Sequence, residues 1–128
     1  MSENNSQNNR AVWFDISVTD LDRSIRFYAA VLAIEVSKEQ MGDFSMGVFE
    51  HRDGNGACLM VNEAGISSSA GILVYMNTDG RIQDAVEKVE SLGGKILEPI
   101  HAIGPHGFRA IVLDSEGNRI ALHSCTHE

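Results

Sequence analysis

Residues 11–36, AVWFDISVTDLDRSIRFYAAVLAIEV, carry the reading on which the fold rests. From Val12 to Val18 apolar side chains alternate (Val12, Phe14, Ile16, Val18), the period of a strand with one buried face, and Trp13, Asp15 and Ser17 fall on the other. TDLDRS then opens a helix. Asp20 is suited to the N-cap, and Leu21, Ile25, Tyr28, Ala29 and Leu32 form one apolar stripe. The stripe stops near Ala33, and Ile34 to Ser37 resume a strand.

The same plan returns 60 residues later. Ile72, Val74, Met76 and Thr78 stand for Val12, Phe14, Ile16 and Val18, while Ala85, Val89 and Leu92 stand for Ile25, Ala29 and Leu32. After its second strand each half has a glycine-containing stretch, QMGDFSMGVFE or IGPHGFRAIVL, then a turn (DGNG, DSEGN) and a closing strand (ACLMVN, RIALHS). Each half therefore reads as βαβββ, which places the chain in the α+β class as two tandem βαβββ modules.

Composition narrows the function. With 128 residues, 43% of them hydrophobic, the chain has material for one core. Ten Lys and Arg against 18 Asp and Glu give a formal charge of -8, which repels a phosphate backbone, so no nucleic-acid partner is expected. No apolar run approaches the length of a membrane span, and MSENNSQNNR lacks the apolar core of a signal peptide; the expectation is a cytoplasmic protein with no membrane partner. Residues 1–10 are too polar to offset the entropy of ordering and are expected to form a disordered tail. Cys58 and Cys125, far apart and outside any CxxC, read as free thiols.

The stretches VTDLDRSIRFYAAVL, VESLGGKIL and LDSEGNRIALH, set in this duplication, resemble the vicinal oxygen chelate superfamily, the glyoxalase, bleomycin-resistance and dioxygenase fold. Gly104, Gly107 and Phe108 are similar to the GxxGF loop of its small lactoylglutathione-lyase-related group. The resemblance implies a single domain over residues 11–125, with module one at 11–63 and module two at 70–125, a curved mixed sheet around a cleft, and a homodimer. It also implies four metal-ligand positions, at the head of the first strand and on the closing strand of each module. Those positions fall on Trp13, Met60, Leu73 (or Gly71) and Ala121. Indole, isobutyl and methyl groups offer no lone pair and a thioether is soft, so no metal and no other cofactor is expected.

Alternation places Trp13, Asp15, Met60, Leu73, Tyr75 and His123 on the cleft side, and Phe108 joins them from the IGPHGF loop, which reads as a lid. Asp15 and His123 are the one pair with acid–base potential, Asp15 orienting the imidazole, and are the catalytic candidates. His51, His101, His106 and His127 read as solvated loop histidines, which leaves open whether His101 or His106 enters the site. The reading is a metal-independent small-molecule binding protein, its ligand amphipathic and favoured to be cationic by the acidic balance. The alternative is a glyoxalase-like metal-dependent lyase or isomerase.

Overall fold

The computed structural model describes residues 10–128, the side chain of Met41 excepted; the expected tail, apart from Arg10, lies outside the described residues. Module one runs β1 (Trp13–Val18), α1 (Leu21–Leu32), β2 (Val36–Met41), β3 (Phe44–Phe49) and β4 (Gly56–Val61). Module two repeats it as β5 (Val74–Asn77), α2 (Ile82–Ser91), β6 (Lys95–Ala102), β7 (Phe108–Leu113) and β8 (Arg119–Ser124). The tandem βαβββ layout is the one read from the sequence. The curved sheet, however, is two four-stranded sheets, β1-β4-β3-β2 and β5-β8-β7-β6. Each has one parallel ladder, β1 with β4 or β5 with β8, and two antiparallel ones. The first strand of each module is thus an edge strand.

Both helices pack on one side. Asp20 caps α1 as expected, accepting from the Arg23 amide at 3.0 Å, and Ala33 ends it in the left-handed conformation at φ 55°. The buried positions of α1 are Leu21, Ser24, Phe27, Tyr28 and Val31, so the stripe is rotated from the one expected. The reason is that α1 faces α2 as well as its own sheet, and Ile25, Ala29 and Leu32 are left half-buried on the flank. Tyr28 and Phe27 are fully buried, in edge and tilted contact with one another and with Phe49 at 5.1 and 5.3 Å between ring centres. Ile16, Val18, Leu59, Met76, Ile82, Ala85, Val89, Val112 and Leu122 complete the core between helices and sheets.

The turn DSEGN holds the modules together. Buried Asp114 accepts from the Tyr28 hydroxyl at 2.5 Å; burial first, then the Asp114 charge, raises the phenol well above its ordinary range. Asn118 donates to the Ser17 carbonyl at 2.7 Å. Glu116 accepts from the Thr19 and Asp20 amides at 2.9 and 2.7 Å and from both the Nε and Nη2 of Arg23 at 2.7 and 2.9 Å. Burial alone would raise this carboxyl, but the bonds from Arg23, the Asp20 amide, Ser115 and the Thr19 amide outweigh it and bring it down to about 2. In return Arg81 of module two donates to the Val31 carbonyl at the end of α1, at 2.7 Å. These bonds fix β1 against the start of β8 and thereby position the site.

Candidate functional site

Strand alternation leaves an open face on each sheet, opposite the helices. On module one the parallel register sets Asp15 beside Cys58 and Ser17 beside Met60, and β3 adds Met46 and Val48. The Cys58 thiol, 3% exposed, donates to Asp15 Oδ1 at 3.0 Å. Burial first, then that bond, push the thiol up to about 11, against an opposing contribution from the Trp13 indole N–H directed at the sulfur. The Trp13 ring meets His51 edge-on at 5.6 Å, and the His51 Nδ1 bonds the Gly54 carbonyl at 3.1 Å. His51 therefore belongs to the wall of this face and is not a free turn residue. Trp13, Asp15, Met46, His51, Cys58 and Met60 line a groove of about 680 Å³.

On module two, β5 and β8 pair Tyr75 with Ala121 and Asn77 with His123, and β7 places Arg109 beside His123. Arg109 donates through Nη1 to the Tyr75 hydroxyl and through Nε to His101 Nε2 at 3.0 Å. The His101 Nδ1 bonds the Pro99 carbonyl at 2.9 Å, and because a carbonyl only accepts, the proton sits on Nδ1 and the lone pair faces Arg109. His101 thus lies on β6, half-buried and bonded at both nitrogens, whereas the sequence suggested a loop histidine. His123 donates through Nε2 to the His106 carbonyl at 2.7 Å. The IGPHGF loop is fastened by that bond and by Ile103 N–H to Gly107 O at 2.9 Å. Gly107 adopts φ 93°, and a Cβ there would stand 2.5 Å from the Ser124 carbonyl.

Between the two open faces the edges of β1 and β5 border a cleft of about 730 Å³. Trp13, Asp15, Leu73 and Tyr75, four of the seven residues singled out for binding, line it, together with Asn118 and Arg119. Met60 lies in the neighbouring groove, and His123 adjoins Tyr75 with ring centres 6.2 Å apart. Phe108 is elsewhere: it shares strand parity with Ala110 and Val112, points to the helix side and packs edge-on against His127 at 5.2 Å. Asp15 and His123 do not form a pair. They lie on different sheets, Asp15 engaged by Cys58 and His123 by the loop carbonyl.

Residues 10–122 match the profile of the Glyoxalase/Bleomycin resistance protein/Dioxygenase superfamily. The chain belongs to that superfamily. Among solved structures, a hypothetical protein from S. aureus is similar with TM-score 0.71 and 16% identity, over 91% of this chain and 95% of that one. A mutant fosfomycin resistance protein, FosX, from Listeria monocytogenes, complexed with Mn(II) and 1S,2S-dihydroxypropylphosphonic acid, is similar with TM-score 0.68 and 14% identity, over 94% of each chain. A glyoxalase I mutant from Zea mays is similar with TM-score 0.69 and 24% identity, over 89% of this chain but 46% of the maize chain. These likenesses extend to the fold. A search of curated proteins found no match.

Metal ligation in this superfamily calls for donors at equivalent points of the two modules. Asp15 and Tyr75 are equivalent, and their neighbours on the closing strands are Cys58 and Ala121. The counterpart of Ala121 is therefore Cys58, and Met60 corresponds to His123. Met60 and Ala121 stand 61 residues apart, whereas the ladders set β4 and β8 63 apart, so with Ala121 kept as the slot of module two that of module one moves by two residues, to Cys58. The corrected set is Trp13, Cys58, Leu73 and Ala121: one thiol, held protonated by its surroundings, and three groups without a usable lone pair. Among the described residues no three His, Cys, Asp or Glu side chains converge. This donor set does not fit a divalent ion of the kind imidazole and carboxylate hold.

Proposed function

We propose that this chain is a metal-independent small-molecule binding member of the superfamily, akin to its lactoylglutathione-lyase-related group through Gly104, Gly107 and Phe108. One observation carries the reading: the positions equivalent to metal ligands hold Trp13, Cys58, Leu73 and Ala121, and two of these, Trp13 and Leu73, line the cleft between β1 and β5. An apolar cleft of this volume with a few polar groups suits a ligand of modest size. The binding residues are Trp13, Asp15, Leu73 and Tyr75, with Met60 and His123 on the adjoining faces. A homodimer is part of the proposal, since Phe44 and Val61, exposed and bordering one groove, are apolar surface that a second copy would cover. The metal-dependent lyase or isomerase reading draws on the FosX and glyoxalase I likenesses alone.

The test uses Trp13, the sole tryptophan, as reporter. Small aromatic and amphipathic compounds are titrated in the presence of EDTA while its emission and its quenching by acrylamide are followed. Ligand-induced protection unaffected by EDTA is expected. Emission indifferent to every compound without metal, and responsive after a divalent ion is added, overturns the reading.

A further inference from the structure

We propose that the cleft between β1 and β5 takes an amphipathic carboxylate, with Arg119 as its anchor and the apolar side chains of the two strands around its body. This rests on the small-molecule reading above and specifies its ligand. It also reverses the cationic preference that net charge alone suggested.

The Arg119 Nε is buried and has no hydrogen-bond partner among the described residues. Arg119 is among the residues lining the cleft, yet no ion pair among the described residues includes it. That is unexpected in a chain with 18 acidic residues against 10 basic ones. Removing a guanidinium N–H from water without an acceptor is unfavourable, and a fully sequestered charged donor ordinarily faces one. Backbone bonding fixes where the arginine starts: its amide donates to the Ser67 carbonyl at 3.0 Å, and it stands beside Leu113 in the β7–β8 ladder.

The rest of the cleft selects the anion. Phe14, Ile16, Leu73, Val74 and Ile120 supply apolar wall, and Asp15 is the one acidic residue on the lining. Asp15 does not neutralise Arg119, since no ion pair joins them and Cys58 donates to its Oδ1. The planar guanidinium of an arginine presents paired N–H groups that match the two oxygens of a carboxylate. With one cation and an apolar wall, a singly charged group with an apolar body fits better than a phosphate ester, which carries more charge than one half-buried arginine offsets.

The experiment titrates the full-length protein with 3-phenylpropionate, its primary amide and 3-phenylpropylammonium, reading Trp13 fluorescence, which monitors the same cleft. The wild type is expected to bind the carboxylate about tenfold or more tightly than either of the others. In Arg119→Met that preference disappears, and in Arg119→Lys part of it is retained. The wild-type comparison needs no variant, so a folding defect in Arg119→Met leaves the result decisive. If the amide or the ammonium perturbs Trp13 as strongly as the carboxylate, the anchor role of Arg119 is overturned while small-molecule binding stands. If the preference persists in a folded Arg119→Met, the anchor is likewise overturned. Silence toward all three compounds overturns the carboxylate proposal, and the small-molecule reading then rests on the wider titration described above.

Discussion

Replacing Glu116 by Gln mimics protonation of the carboxylate that joins the modules, and the structure sets the size of the effect. The folded carboxyl titrates near 2 against an ordinary value of 4.5. At about 1.4 kcal/mol per pKa unit, this caps its contribution at roughly 3.5 kcal/mol. Its main partner, Arg23, is 43% exposed, so solvent screening reduces the figure to about 1–2 kcal/mol. Because the folded pKa is depressed, the stabilisation is complete above 4.5 and is lost as pH falls through about 2. Urea unfolding followed by circular dichroism should show Glu116→Gln less stable than wild type by that amount at pH 7, with the two curves converging from pH 4.5 downward. A difference that stays constant down to pH 2, or none at pH 7, would refute the assignment of Glu116 as the electrostatic clamp between β8 and the start of α1.

Three further outcomes follow from the same geometry. With its thiol raised to about 11 and buried, Cys58 should resist a thiol-specific disulfide reagent at pH 8 in the native state, while exposed Cys125, raised chiefly by the charge of Asp79, reacts; Asp79→Asn should speed Cys125 and leave Cys58 silent. Trp13→Ala should abolish ligand protection while costing less than the roughly 3–5 kcal/mol typical of a fully buried large aromatic, because the ring is only half-buried; chemical denaturation measures the cost. Sedimentation at micromolar concentration should show a dimer, and a monomer alone at that concentration would remove the second copy from the proposal.

Most of the fold was legible because its signals are local. The alternation of Val12 to Val18, the Asp20 cap and the return of the pattern from Ile72 onward each lie within one element or one fixed offset. The rotation of the α1 stripe toward Phe27 and Val31 was not legible, since it depends on α2 packing against the flank of α1. In the site, strand parity placed Trp13, Asp15, Leu73 and Tyr75 along one cleft. Parity applied to FRAIVL would also have turned Phe108 to the helix side and brought Arg109 to the open face, but Phe108 was counted with the IGPHGF loop. Cys58 was missed because equivalence of the closing strands depends on the extra length of module two, and the Asp15–His123 pairing fails because it crosses sheets that share no ladder. Nothing in the sequence marked the unpartnered Nε of Arg119, which is a property of the packed cleft.

The central claim, that this member of the superfamily works without a bound metal ion, is tested most directly by the metal content of the purified chain after dialysis against Zn, Ni and Fe salts. With Trp13, Cys58, Leu73 and Ala121 at the ligand positions, the metal retained should be far below one ion per chain and unchanged in Cys58→Ser. Retention of one ion per chain would contradict the account.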